Sequence, residues 1–200
     1  PAAPAPEPAP DPAAPAPRCR ALETGGWQVE GDGWAWVLDR TGLPVALQAG
    51  GRSWFAGGMQ YCLYRAPIDN DMLVRLQWEK MGLTRLRPKC YRAAAAPGPG
   101  GVTVTAELSL GSEVYRPVCH IDQTVTVAPD GALTFRARVQ AAPLHTALPR
   151  FGVHFALDPA FDKLAYFGYG PFESYADKHQ ASWRGVFESR VADQFVECIR

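Results

Sequence analysis

Two short segments contain the side chains best suited to chemistry. The first, at 65–71, reads RAPIDND and places Arg65 close to Asp69, Asn70 and Asp71. A run of oxygen ligands is typical of a calcium loop, but the glycine and the distant glutamate of an EF-hand are missing. The favoured interpretation is a turn in which Asp and Asn side chains accept backbone hydrogen bonds. Arg65 would then form a bidentate ion pair with a nearby carboxylate.

The second segment, at 168–178, reads GYGPFESYADK and contains Glu173, Tyr175 and Asp177. A glycosidase needs two carboxyl groups about 5–10 Å apart, one as the acid and the other as the nucleophile or base. Glu173 and Asp177 are candidates for that pair. Spacing within a loop rich in glycine and proline does not set such a distance, so a structural role is the favoured interpretation. The same segment does not match a dinucleotide-binding loop, because the third glycine of that motif is missing.

Histidines and cysteines are scattered along the chain and form no recognisable motif. His154 shares the polar face of a predicted strand with Arg150, so we expect it to be solvated or to face a groove. The cysteine spacing matches neither a zinc site nor a disulfide framework, which predicts a reducing compartment. Most of the thiols are expected to be small apolar core residues. The five cysteines are Cys19, Cys62, Cys90, Cys119 and Cys198.

Composition limits the class of protein. The 200 residues include 20 basic and 20 acidic side chains, so the net charge is zero. A nucleic-acid or polybasic membrane surface would need an excess of Lys and Arg, and we find no signal peptide or membrane span. Apolar residues make up 47% of the chain, enough for a buried core. Residues 1–17 consist of Pro, Ala, one Glu and one Asp, which predicts an extended, disordered linker before a domain over 18–200.

The elements that position these residues are predicted to be β-strands. Apolar and polar residues alternate with period two, which is typical of half-buried antiparallel strands. A hairpin is predicted at 34–38 and 44–49, a turn at 129–131, and a loop at 93–101. A short helix is expected near 72–82, with Asp71 as its cap and Gly82 at its end. Further strands are predicted at 102–110, 114–127, 133–139 and 151–157.

Four of these strands have one apolar row that we expect to face the core. Together they indicate an all-β chain folded as an antiparallel β-sandwich. The expected inward residues are Val102, Val104, Ala106, Leu108, Leu110, Cys119, Ile121, Val125, Val127, Leu133, Phe135, Ala137, Val139, Phe151, Val153, Phe155 and Leu157.

Five segments in the same order resemble the C-terminal β-sandwich region of β-galactosidases of glycoside hydrolase family 2. WAWVLDRTGLPVAL resembles its opening hairpin, and YRAPIDND resembles its R-A-P-x-D-N-D signature. RLQWEKMGL is similar to the short helix that follows, and LPRFGVHFAL to a P-R-x-G strand. GYGPFESYADKHQAS resembles a G-x-G-P-x-E-x-Y-x-D-K/R loop. The resemblance covers most of the chain outside the leader.

The resemblance implies a supersandwich fold like that of galactose mutarotases, apparently truncated at its C-terminus. In such enzymes two catalytic glutamates lie in an upstream TIM barrel, and this chain has no βα alternation. The segment would therefore be non-catalytic, packing on the barrel of a retaining β-galactosidase and helping to wall the sugar pocket. Loops at this seam or at the substrate would contain Arg65, Asp69, Asn70, Asp71, Glu173, Tyr175 and Asp177.

The resemblance also implies partners and location. We expect the rest of the β-galactosidase chain as the main partner, with the β-galactoside bound by the parent enzyme. The parent is expected to be a cytoplasmic homo-oligomer that uses Mg and Na ions, while this segment holds no cofactor. The alternative is a stand-alone carbohydrate-binding or mutarotase-like module. Mutarotase chemistry needs a general acid and base, typically His with Glu.

Overall fold

The computed structural model describes residues 15–113, 116–143, 146–172, 174 and 179–194. The chain consists of two compact units, and the boundary between them lies between Ala156 and Leu157. Both are built mainly from antiparallel strands, as predicted. Within these ranges, no helix has the length and apolar character needed to cross a membrane.

A five-stranded antiparallel sheet opens the first unit, with its strands in chain order. The predicted hairpin is confirmed, and its turn is held by Asp39, whose carboxylate accepts hydrogen bonds from the backbone N–H groups of Thr41 and Leu43 at 2.8 and 3.0 Å. Gly42 adopts φ 80°, a value that glycine tolerates without strain. The strands are β1 (Arg18–Ala21), β2 (Trp27–Gly31), β3 (Trp34–Leu38), β4 (Pro44–Ala49) and β5 (Arg52–Ser53).

Strand β6 (Phe55–Cys62) leads into the segment 65–71 and a short helix. A 3-10 helix (Asp69–Asp71) precedes α1 (Val74–Lys80), whose N-cap is Leu73. The predicted cap was wrong, because Asp71 lies in the 3-10 helix and its carboxylate is engaged there. The predicted end was correct: Gly82 is left-handed with φ 68° and is followed by a second 3-10 helix (Leu83–Arg85).

A four-stranded antiparallel sheet follows, in the order β10-β9-β8-β7. The predicted inward rows of β8, β9 and β10 are confirmed as buried or half-buried, and Val104 lies opposite Val125 in register. The turn at 129–131 is also confirmed, with Gly131 at φ 86°. The strands are β7 (Arg87–Gly98), β8 (Gly101–Gly111), β9 (Cys119–Val127) and β10 (Leu133–Ala141).

Two strand predictions were wrong in extent. The loop expected at 93–101 is largely the second half of β7, which pairs with β8 out to Gly98. Because β7 is an edge strand, Pro97 needs no partner for a ladder hydrogen bond on its outer side. The strand expected at 114–127 begins at Cys119, after Pro117 and Val118, while 114 and 115 lie outside the described residues.

Two apolar clusters form the core beneath the four-stranded sheet, so the sandwich is confirmed. One lies against the five-stranded sheet, and the other is closed by Leu63, Trp78 and Leu83. Burying such side chains is the main source of stability in a domain of this kind. The buried residues of the first cluster are Val29, Trp36, Leu38, Val102, Val104, Val125 and Val127. Those of the second are Leu63, Trp78, Leu83, Ala106, Leu108, Leu110, Val118, Cys119 and Ile121.

Strand β11 (Gly152–Leu157) pairs with β6 in a separate two-stranded sheet. Its apolar row was expected to be buried, and this is wrong: Phe151, Phe155 and Leu157 are 41–44% exposed. The aromatic rings touch neighbours on one side, since Phe155 stacks on Phe55 with centroids 5.4 Å apart. The row stays partly exposed because a sheet of only two strands is too small to bury it completely.

The second unit contains a hairpin of β12 (Lys163–Gly170) and β13 (Trp183–Arg190). Gly168–Gly170, expected in a loop, therefore lie in a strand. On one face Tyr166 and Phe187 pack with ring centroids 5.4 Å apart. On the other face Phe167 and Val186 lie opposite each other and are 69% and 71% exposed.

Candidate functional site

A bidentate ion pair organises the segment 65–71. The Asp71 carboxylate accepts hydrogen bonds from Nη1 and Nη2 of Arg65 at 2.5 and 3.1 Å. It also accepts the backbone N–H of Ile68 at 2.9 Å. Asp71 is only 8% exposed. Its carboxylate has therefore lost most of its hydrogen bonds to water, and these three donors replace them. The predicted local pairing of Arg65 is confirmed.

Trp78 of α1 supports this ion pair from below. The Arg65 guanidinium lies over its indole ring, 5.4 Å from the centroid. The ring is 3% exposed, and its Nε1–H donates a hydrogen bond to the carbonyl oxygen of Ala147 at 3.0 Å. Trp78 therefore connects the segment 65–71 to the core and to the chain that precedes β11.

The surroundings of Asp71 suit an ionised carboxylate. The hydrogen bonds from Arg65, and then that from Ile68, lower the pKa of Asp71 below its usual value. A carboxylate held ionised in this way cannot serve as a general acid near neutral pH. The arrangement is that of a structural ion pair.

Asp69 and Asn70 have different surroundings from Asp71, because both are exposed. They lie among apolar side chains that are exposed as well: Leu73 by 81% and Met72 by 64%. We call this region the 68–76 surface, and it comprises Ile68, Asp69, Asn70, Met72, Leu73 and Leu76. The structure thus divides the predicted site residues of the first segment into a buried pair and an exposed pair.

The candidate residues of the second segment, Glu173, Tyr175 and Asp177, lie outside the described residues. Next to them, Phe172 is 65% exposed, and its carbonyl oxygen accepts a hydrogen bond from the Ser182 hydroxyl at 3.3 Å.

A buried polar network joins β9 to the five-stranded sheet and to β6. Gln123 is 2% exposed. Its Oε1 accepts a hydrogen bond from the Tyr61 hydroxyl at 2.8 Å, and its Nε2 donates to the carbonyl oxygen of Thr41 at 3.2 Å. Burial, followed by the nearby Cys119, raises the pKa of Tyr61. The alternation of β9 predicts that position 123 faces inward, but glutamine is polar and was not included in the predicted core.

A second polar cluster, which sequence reasoning missed, surrounds Cys62 at the end of β6. Arg150 Nη2 donates a hydrogen bond to the Cys62 sulfur at 2.8 Å, and Arg150, followed by His154 of β11, acts to lower the pKa of the Cys62 thiol. The expectation that His154 would be solvated agrees with its exposure, and it shares this cluster with Arg150. Pairing between β6 and β11 brings the three side chains together.

Within the described ranges, no three His, Cys, Asp or Glu side chains are close enough to hold a metal ion.

Comparison with known proteins points to one family. Beta-galactosidase of Actinobacillus pleuropneumoniae is 24% identical over 167 residues, which is 83% of this chain and 17% of that protein. The beta-galactosidase of Staphylococcus xylosus is 28% identical over 131 residues, 66% of this chain and 13% of its own length. That of Aeromonas hydrophila subsp. hydrophila is 27% identical over 183 residues, 82% of this chain and 17% of the relative.

The chain thus spans only 13–17% of the length of these relatives. A family model described as beta galactosidase small chain matches residues 30–200, which include both candidate segments and almost all of the strands. The chain therefore belongs to the beta galactosidase small chain family.

Proposed function

We propose that the chain is a non-catalytic segment of a retaining β-galactosidase of glycoside hydrolase family 2. The parent enzyme would hydrolyse terminal β-galactosides in a separate catalytic barrel. Two observations support this proposal. The similar beta-galactosidases are about six times longer than the matched region, and Asp71 is held ionised by Arg65 in a structural ion pair.

We propose that the 68–76 surface packs against the catalytic barrel and helps to form the wall of the sugar pocket. It combines Leu73 and Met72, which are 81% and 64% exposed, with the exposed polar residues Asp69 and Asn70. Exposed apolar groups of this kind, mixed with polar ones, are typical of protein–protein contacts. We propose a similar role for Glu173, Tyr175 and Asp177.

The buried Arg65–Asp71 pair gives this surface a defined shape before it meets a partner. It ties Arg65 to the 3-10 helix Asp69–Asp71, and the Arg65 guanidinium lies over Trp78. A surface ordered in advance loses less conformational entropy on packing. The exposed residues are therefore presented by a rigid base rather than by a free loop.

We propose a cytoplasmic location for the parent enzyme, with its Mg and Na ions bound by the catalytic part and its subunits forming a homo-oligomer. Cys19, Cys62, Cys90 and Cys119 are free thiols, which suits a reducing compartment.

The test of the seam is the substitution Leu73→Asp in the full-length polypeptide. A charge at this 81% exposed position should have little effect on the fold of the segment itself. If the side chain is buried against the barrel, the same charge is desolvated, and we expect β-galactoside hydrolysis to fall by about tenfold or more. The matched control is Thr105→Asp, because Thr105 is exposed on the outer face of β8. Unchanged kinetics and an unchanged melting temperature for Leu73→Asp would remove the 68–76 surface from the seam.

A further inference from the structure

Cys62 differs from the other described cysteines in what surrounds its sulfur. Arg150 donates a hydrogen bond to Sγ at 2.8 Å, and His154 of β11 also acts to lower the pKa of the thiol. The Cys62 thiol itself donates a hydrogen bond to the carbonyl oxygen of Tyr64 at 3.4 Å. A cation at hydrogen-bond distance is one of the groups that stabilise a thiolate in reactive cysteines, and a neighbouring imidazole is another.

These contacts act against the effect of partial burial. Burial opposes ionisation of Cys62, but the hydrogen bonds from Arg150 and His154, with the charge of Arg150, outweigh it and lower the pKa of the thiol. Burial instead raises the pKa of Cys19, Cys90 and Cys119. The chain therefore contains its own matched controls, since Cys19 and Cys90 are half-buried like Cys62.

The side chains beside Cys62 lie at the surface. Cys62 is half-buried, whereas Arg150 and His154 are both exposed. Reactive cysteines occur in this kind of electropositive, partly exposed environment, whereas cysteines in the core are inert.

We propose that Cys62, Arg150 and His154 form a modification site in which the Cys62 thiolate reacts with small hydroperoxides. The sulfur attacks one peroxide oxygen, an S–O bond forms and the O–O bond breaks. The second oxygen leaves with the electron pair and takes a proton from solvent. Sulfur is oxidised by two electrons to the sulfenic acid, and the peroxide is reduced to water or an alcohol.

The first experiment measures nucleophilicity with iodoacetamide on the reduced 200-residue chain at pH 7, with the labelled peptides separated by mass spectrometry. Reactivity rises about threefold for each unit by which a thiol pKa is lowered, because the thiolate fraction increases while its intrinsic nucleophilicity decreases. We expect Cys62 to be labelled at least about fivefold faster than Cys19 or Cys90. Equal labelling of the three thiols would overturn the proposal.

A variant then separates the role of Arg150 from simple exposure. Arg150→Gln removes the charge at an exposed position, and we expect labelling of Cys62 to slow about threefold while Cys19 and Cys90 keep their rates. Arg150→Lys should restore part of the rate. Unchanged Cys62 labelling in Arg150→Gln, with an unchanged circular dichroism spectrum, would contradict the assigned role.

The second experiment uses hydrogen peroxide with dimedone as the probe for sulfenic acid. The proposal requires a dimedone adduct on Cys62, its loss in Cys62→Ser, and a weaker adduct in Arg150→Gln. An adduct on Cys19 or Cys90 as strong as that on Cys62 would count against a dedicated site.

Discussion

Asp69 and Asp71 are two residues apart, yet their surroundings assign the two carboxylates different roles. Asp71 is buried and accepts hydrogen bonds from Arg65 and Ile68, whereas Asp69 is exposed on the 68–76 surface. A 3-10 helix has about three residues per turn, so neighbouring positions face different directions. Arg65 can reach one of these carboxylates with both of its terminal nitrogens, and it reaches Asp71.

The ion pair gives a prediction for Asp71→Asn. Since the pKa of Asp71 is lowered in the folded chain, its charge contributes stability above the unfolded value of about 4 and ceases to do so as the pH falls through the folded value. We expect Asp71→Asn to lower the urea midpoint at pH 7. The difference in urea midpoint between the variant and the unsubstituted chain should shrink below about pH 4. The control is Asp69→Asn at an exposed position, where a change within about 0.5 kcal/mol is expected. A constant difference between pH 7 and pH 3 would contradict the assigned pairing.

Tyr61 gives the opposite pH dependence. Its pKa is raised, first by burial and then by Cys119, so the folded chain keeps the phenolic proton where the unfolded chain releases it. Stability is complete below the unfolded value of about 10 and falls above it, by at most about 1.4 kcal/mol per pH unit.

Tyr61→Phe should remove this alkaline loss. At pH 7 it should cost about 1–3 kcal/mol, because Gln123 Oε1 loses its donor in a buried site. Urea unfolding between pH 8 and pH 11 measures both effects. Tyr91→Phe, at an exposed tyrosine, is the control. If the free energy of unfolding falls equally steeply with pH above pH 10 in the unsubstituted chain and in Tyr61→Phe, this role for the phenol is ruled out.

At the scale of elements, the tight end of the β7–β8 hairpin is set by one glycine. Gly101 has φ 116°, and a side chain there would collide with the carbonyl oxygen of Val127. Gly100, its neighbour, has open space around it. We expect Gly101→Ala to destabilise the chain by about 2 kcal/mol or more, and Gly100→Ala to change stability by less than about 1 kcal/mol. Comparable urea midpoints for the two variants would show that the hairpin end can relax.

The same elements show how far local pattern can go. The β3–β4 hairpin and the inward row of β8 were predicted closely, because alternation and turn residues agree there. The second half of β7 was missed, since a run of Ala, Pro and Gly has low strand propensity and pairing with β8 determines its structure. For β11 the alternation was read correctly, but burial depends on which layer lies above it.

Within the candidate site, the pairing of Arg65 with a carboxylate could be predicted from spacing. The support from Trp78 could not, because Trp78 reaches Arg65 through the fold of α1. The contact between Cys62 and Arg150 is still less predictable, since 88 positions separate the two residues. Such contacts depend on strand pairing between distant segments, which local periodicity does not specify.

At the scale of the whole molecule, we propose that this chain shapes a β-galactosidase without performing its chemistry. The β-sandwich, the family match over residues 30–200 and the 13–17% coverage of the relatives all support an accessory segment. Exposed large apolar side chains occur on the 68–76 surface and also on β12 and β13.

The most direct measurement compares hydrolysis of a chromogenic β-galactoside by the purified 200-residue chain and by the proposed parent enzyme, in which the chain accompanies a catalytic barrel. We expect turnover by the proposed parent enzyme, within the usual range of about 1–1000 per second, and none above the buffer blank for the isolated chain. Turnover at an enzyme-like rate by the isolated chain, or no β-galactosidase activity in the proposed parent enzyme, would contradict the proposal.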